Sequence, residues 1–206
     1  MIIHKGKKYT IECKGDVAEK TDGKSIRRMR YYPERDASAL AGEIDELTAW
    51  RLLRDISRQA SVSKTPISPE HILIDGEGFI LSEWSESSDD RFNAPEGYEP
   101  VWALAASVFQ IFLGCHVFQG MGGRGQSSTA PVPVLRRELP ELSTLIARSL
   151  SYITGNRPTL REIEEIAEAN VSRCESLKTE FPPRKDVSSH SIPSDELDKY
   201  WPEEMN

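Results

Sequence analysis

Glu70 and His71 stand at the head of an apolar segment, Ile72-Leu73-Ile74-Asp75, and Glu83 follows a second one, Ile80-Leu81-Ser82. Two carboxylates and an imidazole around a pair of short strands could hold a cation or relay a proton beside a phosphate-bearing substrate. Magnesium prefers oxygen ligands, so the carboxylates would serve it and the histidine would serve it poorly. Cys115 and His116 are adjacent and of types used in nucleophilic catalysis, but no Asp or Asn is placed by sequence to orient them. Gly120, Gly122 and Gly125 spell Gly-x-Gly-x-x-Gly. That string follows an apolar helical segment and precedes Pro131, whereas a phosphate-cradling loop joins a strand to a helix or a strand. A flexible surface loop is the expected outcome there.

The elements that must position these residues can be read from periodicity and turn chemistry. Lys8 to Cys13, Val17 to Lys20 and Lys24 to Tyr32 read as three strands, joined by turns at Lys14-Gly15-Asp16 and Asp22-Gly23 and ended by Pro33. They predict a small antiparallel sheet over residues 1–36, with an exposed edge that needs covering. From about Ala37 the pattern is helical. Ala49, Leu52, Leu53, Ile56 and Ala60 share one face, and Gly42 is a point where the stretch can split. Val101 to Leu113 is apolar nearly all round and predicts a helix buried on every side. Leu142, Leu145, Ile146, Leu150 and Ile153 mark another helix. Thr159-x-x-Glu162 is a capping box for a last one that buries Leu160, Ile163, Ile166 and Ala167. The helical domain is expected to span 37–177. Residues 178–206 are rich in Pro, Ser and charge and read as a mobile acidic tail.

Composition narrows the function classes. A chain of 206 residues with 38% hydrophobic and 29% charged residues is of ordinary soluble make-up. A net charge of −7 argues against general nucleic-acid binding, and the basic runs at Arg27-Arg28-Met29-Arg30 and Arg136-Arg137 read as solvated faces. The longest apolar stretch, Val101 to Leu113, is too short for a bilayer, which needs about 20 residues. The amino-terminal apolar run is too short for a signal peptide. Three scattered cysteines without metal spacing fit a reducing cytoplasm.

Taken in order, six motifs resemble the carboxy-terminal lobe of the eukaryotic-type protein kinase family. Lys64-Thr65-Pro66-Ile67-Ser68-Pro69-Glu70-His71-Ile72-Leu73 is similar to the catalytic loop, and Glu83-Trp84-Ser85 stands where the family has Asp-Phe-Gly. Ala94-Pro95-Glu96 is intact. Pro100-Val101-Trp102-Ala103-Leu104-Ala105 resembles the buried helix that follows, Gly114-Cys115-His116-Val117-Phe118 loosely matches Gly-x-x-Pro-Phe, and Arg157-Pro158-Thr159 matches the closing motif. The resemblance spans residues 47–170 and implies an α+β, mainly helical fold: a protein-kinase-like carboxy lobe with a small amino-terminal antiparallel sheet.

The same register implies that the chemistry is gone. Phosphoryl transfer needs a carboxylate to orient the incoming hydroxyl and two magnesium ligands. The base position is Pro66, the Asn ligand is His71, and the Asp ligand is Glu83, so the catalytic positions are degenerate and neither cofactor nor metal is expected. A full amino lobe of five strands and a helix needs roughly 70 residues, and only 38 precede Ala39. No covering Gly-rich loop or Val-Ala-Ile-Lys occurs there; the nearest stretch is Ile26-Arg27-Arg28-Met29. The resemblance further implies a buried pair between Glu96 and Arg157, with Trp84 and Trp102 as core aromatics. The expected role is an inactive pseudokinase that binds a protein partner as scaffold or regulator. Its contact surface is expected near Arg27, Arg30, Tyr31, Tyr32 and the loop around Trp84, with alternation burying one of the two tyrosines. Neither nucleic acid nor membrane is expected as a partner. Two alternatives are a residual nucleotide-binding or phosphotransfer protein using Glu70, His71 and Glu83, and a homo-oligomeric structural subunit joined through edge strands.

Overall fold

Asp45 begins the central helix by accepting a hydrogen bond from Thr48 N at 2.8 Å, and α1 (Glu46–Ala60) then buries the expected face of Ala49, Leu52, Leu53, Ile56 and Ala60, together with Leu47 and Trp50. The computed structural model describes residues 2–5, 10–32, 36–82, 89–126, 135 and 138–180. Gly42 does divide the preceding stretch: a short 3-10 helix (Ala37–Leu40) lies before it, and Gly42 N donates to Ile111 O at 2.7 Å, pinning the turn to the next long helix.

That helix, α2 (Pro100–Leu113), is buried all round apart from Pro100, Gln110 and Leu113, as its nearly uniform apolarity requires. Glu99 caps it, accepting from Val101 N at 3.1 Å and Trp102 N at 2.7 Å, with Pro100 in the first turn. α3 (Pro140–Ser149) and α4 (Leu160–Glu180) complete the body. The capping box at the start of α4 forms in both directions: Glu162 N donates to Thr159 Oγ1 at 3.1 Å, and Thr159 N to Glu162 Oε2 at 2.6 Å. α4 lies antiparallel along α1, burying Ile163, Ala167, Val171 and Cys174, while Leu160 and Ile166 are half-buried. Arg58–Glu164 at 2.7 Å, Arg51–Glu175 at 2.9 Å and Arg173–Glu46 at 2.6 Å lace the two helices.

Two expected boundaries shift. α4 runs through Lys178 to Glu180, past the boundary at 177, and Lys178 is held 3.3 Å from Asp45; most of the expected tail, 181–206, lies outside the described residues. Ile153 does not continue α3. It is 66% exposed in the turn after the helix, which ends early so that Arg157 Nε can reach back to Ser151 O at 2.7 Å.

The sheet contains the three expected strands and gains a fourth at its edge. β1 (Ile2–Lys5), β2 (Thr10–Lys14), β3 (Val17–Thr21) and β4 (Ile26–Arg30) pair in sequence order, antiparallel throughout. Asp22 builds the β3–β4 turn by accepting from Lys24 N at 2.8 Å and Ser25 N at 2.7 Å. A second hairpin, β5 (Ile72–Asp75) and β6 (Gly78–Leu81), is embedded in the helical body. Ser82 Oγ lies 3.8 Å from Met29 Sδ, and Arg30 lies 3.6 Å from Asp75, tying β4 to this hairpin. The whole is α+β. Among the described residues, no helix is long and apolar enough to cross a membrane.

Side chains of α1 take the place of a third strand beside β6. Gln59 Oε1 accepts from Leu81 N at 2.9 Å, its Nε2 donates to Phe79 O at 2.8 Å, and Asp55 Oδ2 accepts from Phe79 N at 3.1 Å. Gln59→Leu is expected to strand one donor and one acceptor and to cost about 2 kcal/mol. Urea unfolding checks this; an unchanged midpoint would show that water replaces Gln59 freely.

Candidate functional site

The loop between α1 and β5 carries most of the residues with chemical potential, and its polar groups serve its own shape. Ser63 Oγ and Thr65 Oγ1 are 2.8 Å apart, and Thr65 N donates to Ser63 Oγ at 3.0 Å. Tyr98 reaches in from across the body: its hydroxyl accepts from Ile67 N at 3.1 Å and donates to Thr65 O at 3.4 Å. Burial raises the Tyr98 hydroxyl pKa above the usual phenol value, so it remains a donor in the physiological range. Between these fixed points Pro66 is exposed and offers no proton acceptor.

His71 and Glu70 are adjacent in sequence and differ in surroundings. His71 is 3% exposed, with Nδ1 2.8 Å from Ser68 Oγ, and its carbonyl accepts from Ser82 N at 2.7 Å. Glu70 is exposed. The structure therefore does not gather them into one open cluster. Glu83 and Trp84 lie outside the described residues, as do Ser87 and Ser88. A cavity of about 40 Å³ lies nearby, lined by Ser68, Glu70, Asp89, Arg91, Gln110 and His116. It has room for a water molecule and none for a nucleotide. Arg91 closes one side, donating from Nε to Asp89 Oδ1 at 2.9 Å and from Nη2 to Oδ2 at 2.6 Å.

The best-built polar centre lies elsewhere, around the Ala94-Pro95-Glu96-Gly97 turn. Ala94 and Gly97 exchange backbone hydrogen bonds at 2.8 and 3.0 Å. Arg157 donates to both oxygens of Glu96, at 3.2 Å for Nη2, and its Nη1 lies 3.5 Å from Glu99. Its guanidinium also sits 5.1 Å from the Trp102 ring centroid. The expectation of a buried pair is half corrected: the Arg157 side chain is 4% exposed, but that of Glu96 is 43% exposed. The asymmetry arises because Arg157 is enclosed by Ser151, Glu99 and Trp102, whereas Glu96 caps it from the solvent side. The hydrogen bond from Arg157 holds the Glu96 carboxyl below the usual glutamate range.

Trp102 is fully buried, as expected, with Phe118 stacked at 5.6 Å and Tyr152 edge-on at 5.7 Å. The glycine string corrects the expectation of a surface loop at two of its positions. Gly122 and Gly123 are buried in a short 3-10 helix (Gly122–Gly125), and Gly123 N donates to Asn93 O at 2.9 Å. These glycines let the backbone lie against Asp90 to Pro95 and against Trp102. Cys115 is exposed; His116 is half-buried, edge-on to Phe92 at 5.6 Å, and its pKa is lowered chiefly by burial. Among the described residues, no group of three His, Cys, Asp or Glu side chains is placed to hold a metal ion.

No protein-family model matches the chain, and no curated protein matches it. The kinase resemblance therefore rests on the sequence motifs alone.

On the small sheet, Arg27 and Arg30 are exposed, and the Arg30 guanidinium sits 5.7 Å from the Tyr32 ring centroid. Tyr31 and Tyr32 are both half-buried, so the expectation that alternation buries one of them is corrected: β4 ends at Arg30, and strict alternation ends with it. Sequence reasoning missed Tyr98, Ser68, Glu99 and Ser151. Of these, only Glu99 carried a local signal, an acidic residue directly before a Pro that opens an apolar helix.

Proposed function

We propose that this chain is a pseudokinase-like interaction protein: a body arranged like a kinase carboxy lobe, without phosphotransfer activity, that binds a protein partner in the cytoplasm. The observation that carries the reading is Pro66 at the base position, exposed in a loop whose hydroxyls and amides bond to one another and to Tyr98. The tie from Arg157 to the Ala-Pro-Glu turn supports it, since a tie retained beside a lost base fits a scaffold kept for its shape. Arg27, Arg30, Tyr31 and Tyr32 form the proposed contact surface. The alternative of a rearranged site using Glu70, His71 and Glu83 is less favoured, because His71 is engaged with Ser68 while Glu70 points to solvent.

The decisive measurement is thermal or calorimetric titration with ATP and Mg²⁺. The expected result is no magnesium-dependent stabilisation at millimolar nucleotide. A true site filled at 100 times its Kd would add about 2.7 kcal/mol, and a shift of that order would overturn the proposal in favour of the nucleotide-binding alternative.

A further inference from the structure

A groove of about 530 Å³ opens between the amino-terminal ends of α2 and α4, with Pro100, Val101, Pro158 and Leu160 in its lining. Large apolar side chains gather at its rim. Val62 is 88% exposed and follows the lining residue Ser61, Ile153 is 66% exposed and precedes Thr154, and Tyr98 is exposed and precedes Glu99. Exposed apolar groups collected round one groove mark a surface that another element covers. The charges of the groove do not select that element, because they are already paired: Arg157 with Glu96 and Glu99, and Arg161 with Glu165 at 2.9 Å. What the groove offers an incoming chain is apolar contact.

The chain itself carries a segment of matching character. Leu197, Tyr200 and Trp201 stand at the i, i+3, i+4 spacing that puts three side chains on one face of a helix. Ser194 before them and Pro202 after them are a helix start and a helix stop, and Asp195 and Glu196 are of the type a first turn favours. The reach fits as well. The groove takes in Leu160 and Arg161 at one end of α4, and the chain leaves the other end at Glu180, about 30 Å away at 1.5 Å per residue. An unconstrained chain from Glu180 to Trp201 spans about 25 Å root-mean-square. That near-match gives the segment a local concentration at the groove on the order of 1 mM.

We propose that the segment 194–202 docks in this groove of its own chain as a short helix, laying Leu197, Tyr200 and Trp201 against the apolar lining and the rim residues Val62 and Ile153. A second copy of the chain is the poorer occupant, because it must reach about the same millimolar concentration to compete with a segment already tethered there. Docked, the segment closes this end of the helical body to other proteins; displaced, it opens it. The inference goes beyond the scaffold reading, whose contact surface lies on the small sheet, and stands or falls independently of it.

The test is fluorescence anisotropy with a labelled peptide of the sequence 193–203, added to the full chain. Saturable binding is expected to the variant Y200S/W201S, whose groove is emptied, and binding about tenfold weaker to the wild-type chain, whose own segment competes. In the emptied chain, Val62→Glu and Ile153→Glu change solvent-exposed positions, so the fold is kept, and each should weaken the peptide about tenfold. Two controls need no change to the protein: a peptide carrying Lys199→Pro, which breaks the helix, and one of scrambled order should both fail to bind. No binding to the emptied chain overturns the inference, as does equal affinity for the wild-type chain or equal binding of either control peptide. Affinity that survives both groove variants but falls with Thr144→Glu would move the contact to the α3–α4 side and sink the assignment. A wild-type dimer abolished by Y200S/W201S would place the segment on a second copy and overturn the intramolecular docking.

Discussion

Arg157→Ala is expected to lower stability by about 3–4 kcal/mol, whereas Glu96→Ala should cost only about 1–2 kcal/mol. The two partners of one ion pair differ because their surroundings differ. Glu96 has 43% of its side chain exposed, so its share of the interaction is screened, and water takes up much of what it loses when Arg157 is gone. Arg157 is 4% exposed and does several things at once: it satisfies the Ser151 carbonyl at 2.7 Å, lies 3.5 Å from Glu99, and covers the Trp102 face. Removing it leaves a carbonyl without its donor and a gap beside a buried indole, losses that no hydration of Glu96 repairs. With Glu96 removed, Arg157 still has Ser151 and Glu99. For a chain of this size the larger loss corresponds to a fall of about 10 °C in melting temperature. Equal losses for the two variants would mean that Arg157 is held by Glu96 alone.

The same pair has a pH signature. Glu96 has a lowered pKa in the folded state, so its contribution is fully present above the unfolded value of about 4.3 and is lost as pH falls through the folded one. Wild type and Glu96→Gln should therefore differ most near neutral pH and converge in acid. A gap that stayed constant to the lowest pH at which the protein folds would assign the stabilisation to packing rather than to charge.

Much of the helical body was legible because one pattern dominated each segment. The α1 face, the all-apolar α2 and the Thr159–Glu162 box are local signals, and no tertiary contact overrode them. Element ends were harder to read, since long-range partners decide them: Lys178 finds Asp45 and extends α4, and Arg157 finds Ser151 and cuts α3 short of Ile153. In the candidate site, the sequence resemblance singled out Pro66 and His71, but the groups that hold their loop were not legible. Tyr98 bonds to Ile67 across 31 positions of sequence, and nothing in the spacing of either residue announces the other.

The glycine string shows how one motif can answer to packing, and it sets up a graded series. Gly122→Ala is expected to cost about 2–5 kcal/mol, the sum of about 1–2 for a left-handed backbone and about 1–3 for overpacking. Gly122 has φ +62°, and an added Cβ would lie 2.6 Å from Asp90 O and 2.8 Å from both Arg91 O and Asn93 O. Those are backbone oxygens, which cannot swing aside as a side chain would. Gly123→Ala meets Pro95 Cδ and Trp102 Cζ2 at 2.7 Å and should cost about 2–3 kcal/mol. Gly120→Ala shares the positive φ, at +65°, but has nothing within 4 Å, so about 1 kcal/mol is expected. Gly125→Ala has its nearest neighbour at 3.9 Å and should be close to neutral. Urea unfolding at constant slope reads the whole order. Were these glycines present to cradle a phosphate, the variants would instead keep their stability and lose a ligand. A Gly122→Ala protein as stable as Gly120→Ala would remove the packing account of the string and reopen the phosphate one.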